Sequence, residues 1–89
     1  MTASQRTRLH DIIESLRRWK LHPNPREQLA AGDYSDQEIT QVIKAIQAIL
    51  EEDDGYLAFG VIRSWSLGTE QGVMKKLLGK PLPSNKTKP

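Results

Sequence analysis

A chain of 89 residues with 37% apolar content and five aromatic side chains has room for one modest core, which excludes a multidomain machine. It contains no cysteine, which excludes disulfides, thiolate metal sites and thiol nucleophiles. The net charge of +2 conceals three blocks, +4 over 1–26, −7 over 27–54 and +5 over 55–89, so a compact fold is expected to carry separate acidic and basic faces.

The first predicted element is a helix over 4–20. Leu9, Ile12, Ile13, Leu16 and Trp19 recur at three- and four-residue steps and form one apolar stripe. Thr2 or Ser4 is placed to cap it, and Pro23 with Pro25 ends it by Lys20 or Leu21. A short helix follows over 25–32, with Asn24 as cap, Pro25 in the first helical position, Leu29 as the anchor into the core and Gly32 as a left-handed exit.

Ser35-Asp36-Gln37-Glu38 spells a capping box, and Tyr34 with Ile39 a hydrophobic staple. Ile39, Val42, Ile43, Ile46, Ile49 and Leu50 then repeat at helical spacing to about residue 52. The acidic run Glu51, Glu52, Asp53 and Asp54 falls at the negative end of that helix, where carboxylates are unfavourable.

Residues 56–66 fit two readings. A strand would be rich in aromatic and β-branched residues, but no other segment offers it a partner. A helix puts Leu57, Ala58, Val61, Ile62 and Trp65 on one face and leaves Phe59 outside it, and this reading is preferred although Gly60 weakens it. Gly68-Thr69 breaks the chain, and Thr69 is expected to cap a last helix from Glu70 to Leu78 that buries Val73, Met74, Leu77 and Leu78. Gly79 closes it and Pro81 and Pro83 prevent resumption. The expectation is an all-α bundle of four to five helices, a single domain over 1–79, with a flexible, disordered basic tail over 80–89.

Chemistry is sparse. His10 and His22 belong to no metal-ligand spacing, and Asp53-Asp54-Gly55 lacks the alternating acids of a calcium loop. There is no phosphate-binding glycine loop, serine elbow or paired-acid signature, so neither catalysis nor a cofactor nor a metal is expected. No apolar run approaches the ~20 residues that cross a bilayer. The N-terminal residues lead into a charged helix without a hydrophobic signal region, so a cytoplasmic protein is expected. Helix 1 could lie on an anionic membrane, but Asp11 and Glu14 interrupt its basic face and the core needs its apolar stripe.

Two functional classes remain. The first is a regulatory or adaptor module binding another protein, with Arg17, Arg18, Trp19 and Lys20 as one contact patch and Glu51, Glu52, Asp53 and Asp54 as the opposing one. Pairing with a second copy is a further way to bury surface in so small a chain. The alternative is a DNA-binding regulator with a helix-turn-helix-like pair over 60–78, in which Thr69, Gln71, Lys75, Lys76 and Lys80 face nucleic acid.

Overall fold

Two capping boxes start the two long amphipathic helices. The Thr2 hydroxyl accepts from the Gln5 amide, while the Gln5 side chain accepts from the Thr2 amide, and α1 (Ala3–Trp19) follows. Ser35 and Glu38 exchange the same pair of bonds at the head of α3 (Asp36–Glu52). Between them lie a 3-10 turn (Pro25–Glu27) and the five-residue α2 (Gln28–Gly32). Asp53 then turns the chain in the left-handed region (φ 57°), and Asp54 starts α4 (Gly55–Leu78) by accepting from the Tyr56 and Leu57 amides, each at 3.0 Å. The computed structural model describes residues 1–23 and 25–79, Arg26 in its backbone only. The expected tail over 80–89 and the Asn24 cap lie outside these residues.

The protein is a compact all-α bundle, and no strand occurs among the described residues, so 56–66 is helical. α1 packs on both α3 and α4, and α3 packs on α4. Their directions follow from their contacts. Lys20 meets Asp36 while Met1 and Arg6 meet Asp53, so α3 runs antiparallel to α1. Gln5 bonds to the Gly55 carbonyl and Ser15 to Glu70, so the first half of α4 runs alongside α1 in the same direction. The expected stripes meet inside: Leu9, Ile12, Ile13, Leu16 and Trp19 of α1, then Ile39, Val42, Ile46, Ile49 and Leu50 of α3, and Ala58, Val61, Val73 and Met74 of α4. Ile43, Ile62, Trp65, Leu77 and Leu78 pack at the margin.

Three expectations are corrected. Leu29 is 86% exposed, and Ala30 and Ala31 are the residues of α2 that face the core. Ala30 and Ala31 are 5% and 2% exposed, so small side chains carry the inward face of this five-residue helix. Gly32 is not a left-handed exit; it remains helical, and Asp33 ends α2 in the right-handed region. Thr69 does break α4, but not as a cap: it sits at φ 53°, ψ −150°, and its hydroxyl donates to the Gly68 carbonyl.

The cap that Thr69 does not provide comes from elsewhere. Glu27, only 5% exposed, lies against the start of the second half of α4, and its carboxylate accepts from the Gln71 amide at 3.2 Å. The two halves of α4 then fold back on each other. A Cβ added at Gly72 would stand 2.5 Å from the Ser64 carbonyl oxygen, and one at Gly60 would stand 3.0 Å from Cε of Lys76. These pairs place 64 beside 72 and 60 beside 76, the register of an antiparallel helical hairpin.

Gly72→Ala is therefore expected to destabilise the fold by ~1–3 kcal/mol through overpacking. Gly32→Ala, whose added Cβ meets nothing within 4 Å, should be neutral or stabilising by up to ~1 kcal/mol. Urea midpoints of the two variants check both; equal effects would contradict the hairpin.

Candidate interaction surface

Apolar residues of α4 fall on two faces. Ala58 and Val61 turn inward, with Ile62 and Trp65 partly buried beside them. On the opposite side, at steps of three, four and four, come Tyr56 (86% exposed), Phe59 (57%), Arg63 and Leu67 (77%). Contiguous exposed apolar side chains of this size mark contact surfaces more often than isolated ones do. Arg63 stands in the middle of the stripe and Lys76 reaches its edge, with Nζ 3.5 Å from where a Cβ of Gly60 would lie. Neither Arg63 nor Lys76 forms an ion pair among the described residues. The surface is thus apolar with cationic points.

The residues expected in two charged contact patches are distributed differently. Trp19 is 3% exposed and packs against Tyr34 with ring centroids 5.9 Å apart, so it belongs to the core and not to a contact patch. Arg17, Arg18 and Lys20 are exposed around it; Arg17 pairs with Glu14 at 2.7 Å and Lys20 with Asp36 at 3.5 Å. Glu51 and Glu52 are exposed at the end of α3. Asp53 and Asp54 have structural tasks, the first pairing with Arg6 and the N-terminal ammonium and the second capping α4. The basic and acidic sequence blocks therefore meet along the α1–α3 seam. Of the alternative nucleic-acid residues, Thr69, Lys75 and Lys76 are exposed and Gln71 is half-buried, while Lys80 lies outside the described residues.

Two open clefts adjoin the bend in α4. One is lined by Ser15, Arg18, Trp19, His22 and Glu70, the other by Arg8, Trp65, Ser66, Thr69 and Glu70. Ser15 donates to Glu70 between them, which ties that carboxylate to α1. A third groove, between α3 and α4, is mostly apolar and includes Ala45, Ala48, Ile49, Val61 and Leu77. His10 is exposed on α1, away from these clefts' lining. No cluster of three or more metal-ligating side chains occurs among the described residues, and no helix there is long and apolar enough to cross a membrane.

Two side chains have displaced ionisation. Burial, reinforced by the Asp33 and Glu38 carboxylates, holds the Tyr34 phenol above its ordinary value, so the hydroxyl stays neutral in the core. Asp53 is held below the ordinary carboxylate range by its hydrogen bond to the N-terminal ammonium and that group's charge, with Arg6 adding to both effects. The missed residues, Tyr56, Phe59, Arg63 and Leu67, had one legible signal: Phe59 already lay off the inward face. Comparison with protein families, curated proteins and solved structures found no match.

The Asp53 pairing gives a pH signature. Its folded pKa lies below its unfolded one, so its stabilisation is present above the ordinary carboxylate value of 3.8 and lost as pH falls through the folded value. Asp53→Asn keeps a residue suited to the left-handed position while removing the charge. Its melting temperature should fall below the parent's at neutral pH and low salt, and the gap should close as acid protonates Asp53 in the folded parent. A gap that persists in acid would rule out the ionic account.

Proposed function

We propose that this chain works without catalysis, as a regulatory or adaptor module that binds another protein through the outer face of α4. The carrying observation is the stripe of Tyr56, Phe59 and Leu67 on the side of α4 away from the core, with Arg63 at its centre. Aromatic residues and arginine are the side chains that most often dominate binding energy at protein interfaces. The occupant that fits is an amphipathic segment, two or three apolar side chains with a carboxylate placed to meet Arg63 or Lys76. Arg17, Arg18 and Lys20 at one end of the bundle, and Glu51 and Glu52 at the other, would act at a distance, steering encounter more than adding affinity.

The DNA-binding alternative draws on the break at Thr69 and on exposed Lys75 and Lys76. Against it, the start of the second half of α4 is where a recognition helix would approach DNA, and carboxylates are gathered there. Glu27 accepts from the Gln71 amide and Glu70 is next to it. A phosphate would meet repulsion where that motif needs attraction. The protein-binding reading is therefore preferred.

Partner capture by cross-linking, followed by titration with purified partner, tests it. Phe59→Ala and Arg63→Glu should each weaken binding by about 30-fold or more while leaving the melting temperature unchanged, because both residues are exposed. Binding indifferent to both substitutions would refute the reading. In parallel, anisotropy titration with random duplex DNA at low salt should show no binding. Salt-sensitive binding lost on neutralising Lys75 and Lys76 would favour the DNA reading instead.

A further inference from the structure

The bend at Thr69 is made against the residue's own preferences. At φ 53° and ψ −150° its backbone lies in a region that glycine occupies freely and a β-branched side chain does not. Gly68, beside it, is not in the left-handed region, so the residue suited to the strain does not carry it. The same geometry denies Thr69 its best local role. Thr2 and Ser35 cap their helices from extended backbone at φ near −80° and ψ near 162°, whereas the Thr69 hydroxyl donates to the Gly68 carbonyl at 2.7 Å.

Several of the groups that hold residues 70–78 in place lie outside α4. Glu27 accepts from the Gln71 amide, Ser15 bonds to Glu70, and Val73 and Met74 are fully buried in the core shared with α1 and α3. The close approach of Gly72 to Ser64, and of Gly60 to Lys76, is internal to the hairpin. The seat is therefore built by other parts of the chain, and an identical segment from a second copy would find the same donors, acceptors and apolar contacts there.

We propose that the α4 hairpin opens at Thr69 and that two copies exchange residues 70–78, each filling the other's seat in a symmetric swapped dimer. Opening lets Thr69 relax to extended backbone, where its hydroxyl can cap the segment it precedes. The exchanged segment keeps its bonds to Glu27 and Ser15 and its burial. A connector of one strained residue is the kind of hinge that favours such exchange. The exchanged interface continues one already present in the monomer, so no new surface has to be complementary. Leu67, 77% exposed at the bend, lies where the two chains cross, beside Gly68, at which an added Cβ meets nothing within 4 Å.

Light scattering after size exclusion, from about 1 μM to about 1 mM full-length chain, reads the equilibrium. The parent should shift from monomer to dimer with concentration. Thr69→Gly tolerates the bend and cannot cap, and should lower the association constant about tenfold, which is 1.4 kcal/mol. Thr69→Pro forbids a positive φ and should move the population to dimer. Because the chain has no cysteine, an equimolar mixture of Ser15→Cys and Glu70→Cys chains, unfolded and refolded together, reports the exchange. Oxidation should yield the mixed disulfide between chains well above either like-with-like product. Parent and Thr69→Gly both monomeric throughout would overturn the proposal, even if the proline variant fails to fold. A dimer giving no excess of mixed disulfide would also overturn it, since its copies associate without exchange. Phe59→Ala should leave all of this unchanged, so loss of the α4 outer-face reading would not touch it.

Discussion

The reversal of α4 decides whether this chain has one core or a truncated one. Val73 and Met74 are completely buried, and Leu77 and Leu78 pack at the margin, only because residues 70–78 turn back across α1 and α3. In so small a chain, losing four apolar residues from the core would remove a large share of the surface hidden from water. The turn is held by a buried acid. A carboxylate withdrawn from solvent is costly unless it finds donors, and the helix start at Gln71 offers a backbone amide together with the positive end of the helix dipole. Glu27 and the returning helix thus solve each other's problem, one needing a donor and the other an acceptor. Gly72 completes the arrangement by lacking the Cβ that would strike the Ser64 carbonyl.

Much of this was legible in the residues. The Ser35–Glu38 box fixes the start of α3 and the Ile39 to Leu50 repeat its extent to about residue 52, and Gly79 ends α4 in the left-handed region as its position implies. The helical state of 56–66 followed from the absence of a partner strand. Less was legible wherever a tertiary contact overrides a local preference. Leu29 reads as an anchor by hydrophobicity, yet five residues are too few to define an apolar face, and the fold turns Ala30 and Ala31 inward instead. Thr69 reads as a cap by identity, but its φ is imposed by the hairpin. Glu27 could not be assigned to the start of a helix 44 residues away, since no pattern of spacing joins them.

The same limit applies to function. Charge summed along the sequence suggests separate acidic and basic territories, but the antiparallel packing of α1 on α3 sets opposite charges side by side. Arg6 and the N-terminal ammonium meet Asp53 at one end of the seam, and Lys20 meets Asp36 at the other. Exposed pairs of this kind contribute little to stability. What remains distinctive on the surface is the second stripe of α4. Only Phe59, off the inward face, hinted at it in the sequence; Tyr56 and Leu67 show as its neighbours once the structure leaves them exposed.

The placement of the two tryptophans has an optical consequence. Trp19 is 3% exposed beside Tyr34, only an edge of it lining a cleft and its indole nitrogen without an acceptor among the described residues, whereas Trp65 is half-buried and lines an open cleft with Thr69 and Glu70. One fluorophore is thus shielded from solvent quenchers and placed to receive energy from a neighbouring phenol ring. The other stands four residues from the hinge, within reach of collisional quenching. Emission from this chain carries two separable channels, one recording the integrity of the whole interior and the other the posture of a single joint.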